Sequence, residues 1–268
     1  MYLGVDYYPE QWDPSLLEED LDNICELGCN AIRIAEFGWH LMEPAEGQYD
    51  FSFFDHVIER AKVRGLSIVM GTPTATIPAW LAKKHPDILS EFEDGTKRVF
   101  GGRHVYCFNS PTLYRYAEGI IRAMAEHYKD EKAIVAWQID NEFGHEDSDI
   151  CWCPQCRDAF QAYLKEKFHG NIGSLNDAYG TVFWSQTYND FGEIPLPART
   201  ITTHNPALRL DWERFRISGP AAPGDHSRRG GDPRFPGRGT GQACGLLRCV
   251  QASGCSRLQQ LPRMGRPA

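Results

Sequence analysis

Short apolar runs alternate with amphipathic stretches along the first 180 residues. Leu3 to Tyr7, Ala31 to Ala35, Ser67 to Gly71 and Ile134 to Ile139 are brief and mostly apolar, and they predict four strands. Between them the apolar positions fall at helical spacing. Asp13-Pro14 supplies an N-cap and a first-turn proline for a helix with Leu17, Leu21, Ile24 and Leu27 on one face. Phe54, Val57, Ile58 and Ala61 mark a second helix, and Gly65 is its expected stop. A long excursion after the third strand holds a short predicted helix, Pro78 to His85, and the segment RHVYCFNSP. Ser110-Pro111 then opens a helix carrying Ala117, Ile120, Ile121, Met124 and Tyr128 on one side.

Strand and helix repeated four times predict an α/β fold with a parallel sheet and helical crossovers. A dinucleotide-binding sheet and a (β/α)8 barrel share that pattern. No Gly-x-Gly-x-x-Gly follows the first strand, where a dinucleotide fold carries it. Polar and aromatic residues instead follow each strand: Tyr7-Tyr8-Pro9-Glu10, Glu36-Phe37, Thr72-Pro73-Thr74 and Asn141-Glu142. Barrel enzymes place their chemistry at that end of the strands. The pattern is therefore read as the N-terminal portion of a (β/α)8 TIM barrel.

The alternation stops near Ser218. Residues 219–268 contain ten Gly, six Pro and eight Arg but no Ile, Lys, Glu, Tyr or Trp. Disordered tails are usually rich in Glu, Lys and Ser. This composition is instead that of GC-rich DNA read out of frame, with a genuine flexible tail as the alternative. The expected organisation is one barrel portion, 1–218, followed by an aberrant, unstructured tail, 219–268.

Charge divides the chain at the same place. The tail carries +6 and the first 218 residues −14, which together give the net −8 of the whole. An acidic body excludes a nucleic-acid surface there, and the basic tail has almost no aromatic residues on which bases could stack. No apolar run approaches the ~20 residues of a membrane span. The N-terminus lacks the basic start and apolar core of a signal peptide, so a cytoplasmic location is expected.

Cys151, Cys153 and Cys156 put three thiols within six residues (CWCPQC). Such spacing lets successive side chains converge on one tetrahedral ion such as zinc. In a reducing compartment a disulfide is the poorer reading. The fourth ligand is expected to be Cys107, with His145 and His104 as weaker choices. Cys25 and Cys29 are read as small apolar packing groups. Cys244, Cys249 and Cys255 lie in the tail without ligand spacing.

An apolar strand runs into Asn141-Glu142 in the stretch AWQIDNEFGH. At this point the sequence resembles glycoside hydrolase family 42, the β-galactosidases of the large glycosidase clan with (β/α)8 barrels. The matching stretches are GVDYYPEQW, NAIRIAEFGWHLMEPAEGQYDF, GTPTATIPAWL, RHVYCFNSP, VAWQIDNEFGH and CWCPQC, and they extend to about Ser218. The resemblance implies that Glu142 is the acid/base carboxylate, that Asn141 bonds the sugar 2-hydroxyl and that Arg103 binds substrate. It implies that Cys107, Cys151, Cys153 and Cys156 hold a structural zinc ion. Arg33 resembles the clan's arginine beside the nucleophile, with a buried ion pair as the competing reading. Trp184 either lines the sugar site or packs in the core. A small-molecule galactoside substrate and, by family resemblance, a trimer are expected of the full-length protein, with no nucleic-acid or membrane partner.

A retaining glycosidase needs two carboxyl groups about 5–5.5 Å apart, one as acid/base and one as nucleophile. The acid needs a pKa raised by burial and by a nearby like charge. The resemblance places the nucleophile after the seventh strand, beyond the recognisable pattern, so it is expected to be absent from this chain. Glu10, Glu36 and Glu43 are the nearby alternatives, and Glu36 lies at a strand end of the same rim. The expectation is an incomplete, inactive piece of a retaining β-galactosidase whose first and fourth strands are open edges that favour association. Two other readings share the sequence: a related glycosidase such as an α-L-arabinopyranosidase, and a non-catalytic sugar-binding or zinc-stabilised module.

Overall fold

The four predicted strands all form, β3 (Ser67–Gly71) over its whole predicted run and β1 (Gly4–Asp6), β2 (Ala31–Ile34) and β4 (Ile134–Gln138) slightly shorter than theirs. They come from a computed structural model that describes residues 1–200 and 205–218. The expected tail, 219–268, lies outside the described residues, as do Cys244, Cys249 and Cys255. The sheet is parallel throughout, in the order β1-β2-β3-β4, with one irregularity between Ile68 and Val69 where β3 meets β4. Sequential order with every strand parallel is the first half of a (β/α) barrel.

The chain separates into two compact units. One comprises Met1–Pro86 with Tyr114–Asn141; the other comprises Asp87–Leu113 with the described residues from Glu142 onward. The first contains the sheet. Its helices are α1 (Leu17–Glu26), α2 (Trp39–Met42), α3 (Ser52–Val63), α4 (Ala79–Lys84) and most of α5 (Pro111–His127). The Asp13 side chain accepts from the Ser15 amide ahead of α1, as an N-cap should. Gly65, at φ +72°, closes α3. The amide of the next residue, Leu66, reaches back to the Ala61 carbonyl at 3.1 Å, a bond that needs the left-handed turn glycine permits.

Alternation along the strands assigns the faces. Ile32, Ile34, Ile68 and Met70 are at most 1% exposed, whereas Arg33 and Val69 between them are only half-buried. The first set packs with Leu21, Phe54, Val57, Ile58, Ala61, Ile120, Ile121 and Met124 of the helices in a fully buried core. Burying a side chain of this size is worth about 1.5–3 kcal/mol, so this layer is the unit's main source of stability. Ion pairs Arg60–Glu18, Arg64–Asp22 and Arg64–Glu18 tie α1 to α3 at the surface. Leu27, expected on the apolar face of α1, is instead 73% exposed. It lies just past the helix end at Glu26, so the helical period no longer governs where it points.

The second unit is helical: α6 (Pro154–Lys167), α7 (Ile172–Tyr179) and α8 (Pro206–Ser218). Phe160, Leu164, Leu175, Leu208, Trp212 and Phe215 form its core together with four cysteines. Asp211, 1% exposed, is neutralised by Lys167 and Arg214 and accepts from the Tyr179 hydroxyl.

One contact gives a sharp test of packing. A Cβ added to Gly38 would stand 2.6 Å from the ring of Phe54, which is fully buried. Gly38→Ala is expected to cost roughly 1–3 kcal/mol by overpacking. In a Phe54→Leu background the same change should cost markedly less, because the two positions couple through one contact. Urea unfolding of the four proteins measures the cycle, and strictly additive costs would refute the contact.

Candidate functional site

Chain direction puts the end of every strand on one side of the sheet, and the polar residues follow from there. After β2 the backbone turns through Ala35 at φ +83°, a left-handed conformation that costs a non-glycine residue roughly 1–3 kcal/mol. The next residue, Glu36, is fully buried. Its Oε1 accepts from Nε of Arg33 and from the Tyr8 hydroxyl at 3.3 Å; Oε2 has no partner. The Arg33 guanidinium also reaches Asp6 at 2.7 Å and Tyr8 at 3.4 Å. Gly71 lies against Glu36 so closely that a Cβ there would stand 2.8 Å from the Glu36 Cβ. Arg33, itself half-buried, thus pairs with a fully buried carboxylate.

Glu10 differs from its neighbours. Both its carboxylate oxygens are shielded from water, and neither has a hydrogen-bond partner. Burial pushes its pKa up from the ordinary 4.5 to about 7, with the charge of Glu36 adding to the rise. Glu43 takes the opposite course. Trp39 Nε1 and the Gly47 amide each donate to its carboxylate at 2.8 Å, and Trp80 Nε1 donates to its carbonyl. That full set of partners makes Glu43 a structural tie, which leaves Glu10 and Glu36 as the alternative carboxylates of this unit.

At the end of β4, Asp140 is 1% exposed and at φ +57°. Its Oδ2 accepts from Thr74 Oγ1 at 2.7 Å, and its amide donates to Thr72 Oγ1 at 2.7 Å. Oδ1 accepts from the Asn141 amide, and Gln138 Nε2 donates to Asn141 Oδ1 at 3.3 Å. Asn141 is 5% exposed and held from two sides. The sequence reading missed Asp140; a carboxylate inside an otherwise apolar strand end was the available signal.

In the second unit Glu142 sits at φ +48° and pairs with Arg103, Nη1 to Oε2 at 2.7 Å. The side chain of Glu142 is 53% exposed, so the described residues do not provide the burial expected of an acid catalyst. Trp184, stacked on Phe183, is 57% exposed, which removes the core-packing reading for it.

The four cysteines do converge. Cys107, Cys151, Cys153 and Cys156 are all buried, with their sulfurs within 4.8 Å of one another. Cys107 and Cys156 are 3.3 Å apart and Cys107 and Cys153 3.5 Å, too far for a disulfide. Four sulfurs around an ion at ~2.3 Å stand about 3.8 Å apart, so the cluster matches a tetrahedral site with small adjustment. Amides of Glu91 and Asn109 and the Asn109 side chain donate to three of the sulfurs, which favours thiolates. Cys153 is the N-cap of α6, where the helix dipole acts the same way. His104 and His145 are outside the cluster.

A half barrel with acids and amides at its strand ends and a buried four-cysteine cluster able to hold a metal ion defines a protein of the α/β barrel class. The comparisons narrow this. A family model described as beta-galactosidase matches residues 6–221. A beta-galactosidase of Thermus thermophilus is 43% identical over 213 residues, 80% of this chain and 33% of that protein. BgaA of Clostridium cellulovorans is 42% identical over 215 residues, 80% of the chain and 32% of its own length. Among solved structures, the beta-galactosidase of Halorubrum lacusprofundi aligns with a TM-score of 0.76 at 40% identity, covering 81% and 32% of the two chains. That of Rahnella sp. R3 aligns with 0.80 at 29% identity, covering 96% and 35%. The chain belongs to glycoside hydrolase family 42. It spans about a third of the length of these relatives.

The buried acid at Glu10 has a measurable signature. Between the ordinary pKa of 4.5 and about 7, the folded chain keeps a proton there that the unfolded chain has released. Stability should therefore be greatest at the acid end of that window and fall as pH rises through it. Glu10→Gln is expected to remove this slope. At pH 8 it should raise stability by on the order of 1–2 kcal/mol, allowing for the part of the side chain that water reaches. Urea titrations at pH 5 and pH 8 measure it; an unchanged slope in the variant would assign the proton to another group.

Proposed function

We propose that this chain is the N-terminal part of the catalytic barrel of a retaining β-galactosidase acting on terminal, non-reducing β-D-galactosides. The reading rests on Glu142, paired to Arg103 at 2.7 Å directly after the Asn141 that follows β4, in a chain of family 42. Glu142 is the acid/base: it protonates the glycosidic oxygen and later takes a proton from water. Asn141, its amide oriented by Gln138 and Asp140, bonds the sugar 2-hydroxyl. Arg103 contacts substrate and holds Glu142 meanwhile. Arg33, held by Glu36, Asp6 and Tyr8, is the arginine that stands beside the nucleophile in the whole protein. Exposed Trp184 is available to the sugar face.

The metal is zinc in a structural role, because four thiolates leave no open position for water. Cys153→Ser is expected to lower zinc content and melting temperature together; elemental analysis beside thermal unfolding reads both. A folded variant that keeps its zinc yet loses thermal stability would refute this role.

The whole protein is proposed to be a cytoplasmic homotrimer with a small-molecule substrate and no nucleic-acid or membrane partner. No helix among the described residues is long and apolar enough to cross a membrane. Residues 1–218 form the barrel portion, and 219–268 are an out-of-frame product that supplies no nucleophile. Without the second carboxylate, general acid catalysis alone supplies only ~10²–10⁴-fold, so the 268-residue chain should barely hydrolyse nitrophenyl galactoside. A parent restored in frame beyond codon 218 should be active. In that parent Glu142→Gln should slow substrates with poor leaving groups far more than nitrophenyl galactoside, and azide should partly restore turnover of the latter. Parent-like turnover by the short chain would overturn the reading and make Glu36 the first nucleophile to test.

A further inference from the structure

The sheet-bearing unit holds a cavity of about 450 Å³ between the loop after α2, the end of α4 and the first half of α5. None of the residues lining it belongs to a strand or to the rim of Glu36, Asp140 and Asn141. Its volume is that of a small-molecule pocket.

One wall is built around Tyr116. Trp80 meets its ring edge-on at 5.7 Å and is itself anchored through Nε1 to the Glu43 carbonyl; His85 lies against it at 5.3 Å. The Tyr116 hydroxyl donates to Glu46 Oε1 at 2.7 Å. Its one proton is thereby used, so His85 Nε2, 3.0 Å away, is the donor to the same oxygen. Glu46 also pairs with Lys84. Lys84 first, and then Tyr116, hold its carboxyl below the usual range, so it stays an anionic acceptor. Arg115 has no ion-pair partner among the described residues and spreads its guanidinium over the Tyr116 ring at 4.9 Å.

Two further residues keep the cavity open. Gly119 lies inside α5, where glycine costs a helix roughly 0.5–1 kcal/mol relative to alanine. A Cβ there would stand 3.1 Å from the Tyr49 hydroxyl. Tyr49 is 43% exposed and stacks on Phe51 at 6.3 Å, which leaves ring surface at the cavity.

Charge selects the ligand class. Glu43 and Glu46 stand against Lys84 and Arg115, so the lining favours neither an anion nor a cation. It offers instead two tyrosine rings with donors and acceptors set between them. A hydroxyl both donates and accepts, and a sugar ring carries several around apolar C–H faces that pack on aromatic rings. We propose that this cavity binds a neutral saccharide of one or two rings, packed on Tyr49 with its hydroxyls shared between Arg115 and Glu46. The site is separate from the strand-end rim, and the inference does not rest on the galactosidase reading.

Saturation-transfer NMR on the purified 268-residue chain, titrated with maltose, cellobiose and lactose, tests it. The first two contain no galactose, so their binding is independent of whether the galactosidase reading stands. At least one of the three is expected to bind with a dissociation constant on the order of 1 mM or tighter. Gly119→Leu places a good helix former in α5 and a side chain in the cavity; it should weaken that binding roughly tenfold or more while the melting temperature holds or rises. Tyr49→Ala should weaken it likewise, and Tyr49→Phe, which keeps the ring, should bind within about threefold of the unmodified chain. Galacturonate should bind no tighter than galactose, and glucosamine no tighter than glucose. No signal from any of the three disaccharides at tens of millimolar overturns the proposal, as does a roughly tenfold preference for either charged sugar. Binding that Asn141→Ala abolishes and Gly119→Leu leaves intact overturns it too, because the sugar then sits at the strand ends. If Gly119→Leu does not fold, the two Tyr49 variants decide.

Discussion

Every polar feature of the first unit depends on the shared direction of its four strands. Ile32, Ile34, Ile68 and Met70 must face the helices, and parallel pairing then sends all four chain ends the same way. Glu36, the Thr72–Thr74 pair and the Asp140–Asn141 pair come from segments far apart in sequence. They stand on one rim because each helical crossover returns the chain to the same end of the sheet before the next strand begins. Chemistry at that rim is a by-product of how the core is covered.

Bringing carboxylates together in this way creates a solvation problem, which the chain meets differently at each position. Glu36 is answered by a guanidinium, Glu43 by an indole and an amide, and Asp140 by a hydroxyl and an amide. Glu10 is met by none of these, and burial raises its pKa to about 7 instead. Left-handed backbone at Ala35, Asp140 and Glu142 marks where the strand ends bend to make these arrangements fit. Such strain persists only because the apolar layer beneath holds the strand ends in place.

Much of this was legible in the residues. AIRIA and SIVMG are strands because a short apolar run between helical patterns has few other uses. Gly65 stops a helix because it alone turns left-handed cheaply. The cysteine spacing announced a cluster able to hold a metal ion, and Cys107, 44 residues upstream of its nearest partner, was the leading candidate for its fourth member. What stayed hidden depends on distance in space. The setting of Asp140 needs two threonines from the segment that follows β3. The exposure of Trp184 needs the left-handed turn it occupies at φ +56°. The exposure of Leu27 turns on a helix ending one residue sooner than its period suggests. For Glu142 the residues indicate a strand-end carboxylate, but its surroundings are set by Arg103, 39 residues away.

The long excursion between β3 and β4 also has a consequence in time. From Gly71 to Gln138 the ribosome must add 67 residues before the fourth strand is complete. At about 5–20 residues per second, that interval lasts several seconds. During it, β1, β2 and β3 can already pair, and β3 presents an unfilled edge to whatever emerges nearby. Crowded polysomes would bring such edges from neighbouring nascent chains together. Slow passage through this stretch therefore favours misassembly, and a chaperone that recognises extended apolar segments would act most usefully between the third strand and the fourth.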